Sequence, residues 1–176
     1  MKYRRSTAAL AAALLLPAVA GAEVKMAAPD GALIEHRFQI AATPDAAWQV
    51  LVHPERYWPR EHTWSGDATN LSMAPEAGGC FCERWDGGSA EHGRIVMARP
   101  GKVLRFRGSL GPFQEMAVTG VLTVTLTPVE SGTEAVVTYR LSGDPSHKLD
   151  GFIAVVDEVV GLQFGGFAKL ASTPTR

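Results

Sequence analysis

The stretch Leu149–Leu170, LDGFIAVVDEVVGLQFGGFAKL, decides the fold. Phe152, Val156, Val159, Gln163, Phe167 and Leu170 recur at steps of three and four residues, the period of one helical face, which leaves Asp157, Glu158 and Lys169 for the polar side. Val155, Val160, Leu162 and Phe164 widen the apolar stripe and predict a helix packed deeply against a sheet rather than resting on a surface. Gly161, Gly165 and Gly166 run against helix formation, at about 1 kcal/mol each relative to Ala, so they point to close packing or local bending.

Upstream the period changes from 3.6 to two. Cys80–Trp85, Ala90–Ala98, Val103–Leu110, Val118–Thr127 and Glu134–Leu141 have strand character, and Asp86-Gly87-Gly88-Ser89, Pro100-Gly101, Gly111-Pro112 and Ser131-Gly132 punctuate them as turns. Such short connections predict an antiparallel meander. A shorter strand, Asn70–Met73, precedes it. Further back, Leu33–Ala41 alternates, with Ile34, His36, Phe38 and Ile40 on one face; Thr43 then caps a short helix with Pro44 in its first turn, ending at His53-Pro54. His36 reads as a satisfied core residue. Between helix and strand, Tyr57, Trp58, His62 and Trp64 crowd around Pro59, either as a short helix plugging the core or as one wall of a pocket.

The chain begins with the pattern of a secretory leader: Lys2, Arg4 and Arg5, an apolar run from Ala8 to Leu16, Pro17, and Ala20-Gly21-Ala22. The run is far short of the roughly 20 residues that span a bilayer. Residues 1–22 are therefore expected to be removed between Ala22 and Glu23, leaving a periplasmic or secreted protein with no membrane segment. The Arg4-Arg5 pair leaves a twin-arginine route open, on flanks that fit it loosely. The whole chain has 17 Lys and Arg against 18 Asp and Glu, and losing the leader takes away three cations and no anion. An acidic mature chain excludes nucleic acid as a natural partner. Residues 23–31, rich in Ala, Pro and Gly without periodicity, read as a flexible lead-in to a single domain over residues 32–172.

The order strand, short helices, six-stranded meander and long terminal helix resembles the START-like (SRPBCC) helix-grip superfamily, which includes polyketide cyclases, plant pathogenesis-related ligand carriers and proteins similar to the activator of the heat-shock-protein-90 ATPase. The resemblance rests on Ile34-Glu35-His36-Arg37-Phe38, Pro44-Asp45-Ala46-Ala47-Trp48, Gly78-Gly79-Cys80-Phe81 and the last helix. It implies an α+β fold, a curved antiparallel sheet of about seven strands around the C-terminal helix, with short helices after the first strand. It also implies a largely apolar cavity between sheet and helix. A small hydrophobic or aromatic molecule is the expected partner. An exported protein has no access to a cytosolic chaperone, so the co-chaperone role is not carried over.

Within that frame the hairpin around Gly87-Gly88 carries the candidate chemistry. A two-residue loop there places Trp85 opposite Ala90, Glu83 opposite His92 and Phe81 opposite Arg94, with Cys80, Cys82, Gly93 and Ile95 on the other face. If that first face looks inward, Glu83 and His92 form a proton-transfer pair suited to enolisation, cyclisation or dehydration; if outward, they make an ordinary cross-strand contact. The cavity is expected to draw Trp58 and Trp64 from the aromatic segment, Phe81 and Trp85 from the hairpin, Phe106 and Tyr139 from neighbouring strands, and Phe152 and Val156 from the helix. Phe113 and Gln114 either make a plain turn or guard its mouth. Cys80 and Cys82 would lie about 7 Å apart in an extended strand, the outer limit of disulfide geometry, so they read as two half-buried thiols, with a redox-active pair or a metal site as alternatives. The same parity separates the thiols from His92, so no metal centre is expected, and no cofactor motif occurs. Three readings follow: a carrier of a hydrophobic or aromatic ligand, an enzyme in the same cavity, or an interaction module without a ligand.

Overall fold

Alternating sequence does produce the sheet, and the computed structural model, which describes residues 21–174, shows how it is closed. In chain order the elements are β1 (Ala22–Ala28), β2 (Gly31–Ile40), α1 (Pro44–Leu51), β3 (Leu71–Met73), β4 (Cys80–Trp85), β5 (Gly88–Arg99), β6 (Val103–Arg107), β7 (Thr119–Val129), β8 (Gly132–Ser142) and α2 (Ile153–Ala171). All strand pairs are antiparallel, in the order β1-β2-β8-β7-β6-β5-β4-β3. The last six strands are thus the expected meander, and β2 joins it through β8, pairing from Gly31 with Ser142 to Ile40 with Thr133. This is the helix-grip α+β fold.

Eight strands are present rather than about seven. The additional one is β1, where the sequence reads as a flexible lead-in: Glu23–Ala28 is paired to β2, and the short helices consequently follow the second strand. No period of two marks β1 because it is an edge strand whose described side chains are largely exposed, so nothing selects an apolar face. Residues 1–20, most of the expected leader, lie outside the described residues.

One face of the sheet is largely apolar. Ile34 and Ile40 from β2, Phe81 from β4, Ile95 from β5, Leu104 and Phe106 from β6, Leu122 and Val124 from β7, and Val137 and Leu141 from β8 are all buried. Helix α1 has the expected start, Thr43 accepting a hydrogen bond from the Ala46 N–H at 3.3 Å with Pro44 in the first turn, and it buries Ala47, Trp48 and Leu51. Helix α2 packs on β2 and on α1 through Val160, Phe164, Phe167, Ala168 and Ala171. Its burial is one-sided, however. Val155 and Leu162, expected to widen the packed stripe, are exposed, because the sheet covers less than the apolar arc of the helix. The glycines report close packing: a Cβ on Gly166 would stand 2.7 Å from the Tyr57 carbonyl oxygen, and one on Gly161 3.0 Å from the His36 ring. His36 is buried, as expected, but is not satisfied by a hydrogen bond: its Nε2 stands 2.8 Å from a carboxylate oxygen of Asp157 on the helix, and among the described residues neither atom has a hydrogen-bond partner. Among the described residues no single helix is long and apolar enough to cross a membrane.

Candidate functional site

The hairpin turns one step earlier than the glycine pair indicates. Its loop is Asp86-Gly87, with Gly87 at φ +80°, so Trp85 pairs with Gly88 rather than Ala90 and Glu83 with Ala90 rather than His92. A slide of two in the summed register keeps every side chain on its face, so Glu83 and His92 still share one. The ladder then breaks: Cys82 pairs with Glu91, but Phe81 pairs with Gly93 and Cys80 with Arg94, leaving His92 as the extra residue of a β-bulge. The bulge reverses the parity beyond it. Gly93 and Ile95 are consequently buried on the inner face, not on the outer face with the cysteines.

That face looks inward. Glu83 is 0 % exposed and His92 4 %, with Nε2 of the imidazole 3.0 Å from Oε2 of the carboxylate. Glu83 also accepts the backbone N–H groups of Trp64 at 3.0 Å and Ser65 at 2.6 Å. The aromatic segment therefore does more than plug the core: it wraps the inner face and supplies two donors to the buried carboxylate. A short 3₁₀ turn at Arg60–His62 shapes it, and the Trp58 indole N–H donates to the His62 carbonyl at 3.1 Å.

The electrostatics follow from these contacts. Burial pushes the Glu83 carboxyl up, but the hydrogen bonds from Ser65, Trp64 and His92 outweigh it and hold the group below the ordinary carboxylate range. Burial pulls His92 below the usual imidazole value, against the opposing influence of Glu83. The pair at neutral pH is a carboxylate and a neutral imidazole. Since the carboxylate only accepts, Nε2 carries the proton and Nδ1 is the basic nitrogen; among the described residues nothing donates to it.

His92 lines a cavity of about 300 Å³ between the sheet, the aromatic segment and α2. Its walls are Trp58, Tyr139, Val156, Val159 and Val160, and its mouth is formed by Glu61–Trp64, Leu110–Phe113, Phe152 and Val155. Phe113 is buried and meets the half-exposed Phe152 edge-on, ring centroids 6.3 Å apart. Besides His92, two buried polar residues line this space, Tyr139 and Gln163, while Glu61, His62 and Thr63 border its more exposed mouth. The Tyr139 hydroxyl accepts the Leu110 N–H at 3.3 Å, and burial keeps it protonated, so its own hydrogen is available to a ligand. Gln163, 3 % exposed, has its carbonyl oxygen buried without a partner.

Of the expected lining residues, Trp58, Trp64, Phe113, Tyr139, Phe152 and Val156 border the cavity. Four do not. Phe81 and Phe106 stand one layer behind it, their rings 5.6 Å apart, with Phe81 buttressing His92 at 5.0 Å and Trp58 at 5.3 Å. Trp85 lies at the hairpin tip with its ring over Gly88. Gln114 turns away and donates to the Glu91 carbonyl at 3.0 Å. Gln163 was not among the expected site residues, although a polar side chain inside an apolar helical stripe is a readable signal. Cys80 and Cys82, expected as thiols, form a disulfide on the outer face.

No protein-family model matches the chain. No curated protein matches it in sequence. Solved structures do match in three dimensions. Protein MLL2253 from Mesorhizobium loti is 22% identical, over 81% of this chain and 99% of that one, with a TM-score of 0.55. The di-domain ARO/CYC protein StfQ of the steffimycin biosynthetic pathway is 15% identical, over 82% of this chain and 50% of that one, with a TM-score of 0.55. Norcoclaurine synthase from Thalictrum flavum, solved with a transition-state analogue, is 13% identical, over 80% and 94%, with a TM-score of 0.52. At these identities the likeness is one of fold.

Proposed function

We propose that this protein is an exported enzyme that binds a small, uncharged, largely apolar molecule in the cavity and moves a proton on it with His92. One observation carries the reading. Glu83 is wholly buried and accepts from Trp64, Ser65 and His92, so it serves to orient the imidazole, while among the described residues the basic Nδ1 of His92 is left unpartnered beside an apolar cavity. The part of the substrate held in the buried walls is uncharged, because among the described residues Glu61 and His62 border the cavity only at its more exposed mouth. Tyr139 donates to an oxygen that gains charge as the proton leaves, and the Gln163 carbonyl accepts from a hydroxyl or amine. An enolisable carbonyl compound with an aromatic or aliphatic body satisfies all three groups. The volume, near the lower end for ligand sites, sets its size at roughly that of one or two rings.

That StfQ is named for ARO/CYC activity and another neighbour for a synthase supports chemistry on this scaffold, as does an inward ionisable pair, which a pure carrier does not need. Export rests on the leader at residues 1–22.

The test is native mass spectrometry of the mature protein from its own host, looking for a small molecule released on denaturation, followed by turnover of that molecule. His92→Ala is expected to retain binding and to lose about 10²- to 10⁴-fold in turnover. Binding without turnover in the unaltered protein would make it a carrier, and a consistently empty cavity with no apolar ligand taken up in vitro would remove both readings.

A further inference from the structure

On the opposite side of β4 the chain places a second reactive group. Cys80 and Cys82, the only two cysteines, are bonded to each other with one residue between them. Such a bond holds nothing distant together. Both cysteines belong to a strand already hydrogen-bonded to β3 on one side and β5 on the other, and a loop this short removes the least entropy from the unfolded chain. A structural staple is therefore a poor explanation of it.

Its surroundings favour chemistry instead. The α-carbons are 5.4 Å apart, closer than the roughly 6.5–7 Å of alternate residues in an extended strand, so β4 is locally contracted between the two cysteines, across from the bulge at His92 of β5. The two sulfurs differ in access: Cys80 is partly exposed and Cys82 is buried, 7 % exposed. Cys80 stands in register with Arg94, and Arg94 with Arg107, on the outer face of three adjacent strands, with Arg84 two residues beyond Cys82. Arg94 pairs with Glu91, whose carboxylate is 4.0 Å from the Cys80 sulfur. Among the described residues Arg84 and Arg107 make no ion pair, so this outer face of β4, β5 and β6 carries three guanidiniums against the one Glu91 carboxylate beside Cys80, a net positive field that favours the approach of an anionic thiolate.

We propose that the Cys80–Cys82 disulfide is a thiol–disulfide exchange site for a small acidic thiol of the glutathione class, attacked at Cys80. The incoming thiolate forms a bond to the Cys80 sulfur as the Cys80–Cys82 bond breaks, and its electron pair leaves on Cys82, which takes a proton from water. A second thiolate attacks the thiol's own sulfur in the mixed disulfide, so the small thiol leaves as its disulfide and Cys80 as a thiolate that is then protonated. Two thiols are oxidised to one disulfide, and the protein disulfide gains two electrons and two protons.

The folded mature protein is incubated with glutathione and, separately, with the cationic thiol cysteamine at equal thiolate concentration, and free thiols are counted by alkylation and mass spectrometry. Glutathione is expected to open the disulfide about tenfold faster than cysteamine at low salt, the gap closing as salt screens the arginines. Cys82→Ser, with Cys80 alone, is expected to capture glutathione from its disulfide, and Cys80→Ser to capture at least tenfold less, circular dichroism confirming that both are folded. Reduction only after denaturation, equal rates for the two thiols at low salt, or equal capture by the two variants would each overturn the proposal.

Discussion

Glu83 illustrates what one residue does when three donors converge on it. Its carboxylate is wholly buried, yet it is held ionised, and it passes that charge to His92 as orientation and tautomer rather than as a proton. The pair should leave a signature in stability against pH. His92 has a lower pKa in the folded chain than its ordinary value of about 6.5, so below that pH the unfolded chain binds more protons and stability falls as pH drops. Glu83 adds a second loss at lower pH, from its ordinary value of about 4.3 down through its depressed folded value. In thermal melts between about pH 8 and pH 5, His92→Gln is therefore expected to flatten the decline relative to the unaltered protein; an unchanged slope would assign the decline to other groups. That these two residues share a face was legible in the sequence on the condition of an even loop, although the register opposite Glu83 was not: Ala90 stands there, and the parity holds because the register slides by two. That the face is the inner one was not, nor that Phe81 and Phe106 stand behind the cavity: depth depends on which neighbour lies in front.

At the scale of elements, the closing helix shows how little local propensity decides. Its three glycines weaken it about equally in isolation, but the fold separates them. A Cβ at Gly165 would meet only the Phe38 ring, at 3.9 Å, an ordinary contact, whereas at Gly166 it would press on the Tyr57 backbone at 2.7 Å. Gly165→Ala is accordingly expected to stabilise the protein by up to about 1 kcal/mol, and Gly166→Ala to destabilise it by roughly 1–2 kcal/mol, overpacking outweighing the propensity gain. Chemical denaturation of the two variants side by side checks the opposite signs. The helix and the meander were legible because their periods differ and each has a buried face to advertise. Strand β1 has none, so an aperiodic run reads as loose although backbone pairing alone suffices to add it to the edge. The β4–β5 bulge is equally silent in sequence, since an extra residue keeps every residue type and changes only the register.

For the whole molecule, the cavity is what remains between sheet and helix once α1 and the aromatic segment are packed. Val156 projects into it from α2, and Val156→Trp is expected to fill much of the space. The molecule identified in the native protein, added back at 100 times its Kd, should stabilise the unaltered protein by about 2.7 kcal/mol and leave the Val156→Trp variant unmoved. Equal shifts would place the ligand elsewhere. By itself the sequence determined the types of the periodic elements, the antiparallel order of the meander and the terminal helix that closes it, because each of these follows from period and turn residues, all of them local. Only the tertiary structure decided the edge strand, the bulge, the joining of Cys80 to Cys82, and which side chains border the cavity and which support it. These depend on distances between segments far apart in the chain, and a distance across the core is set by packing, which no local pattern of residues encodes.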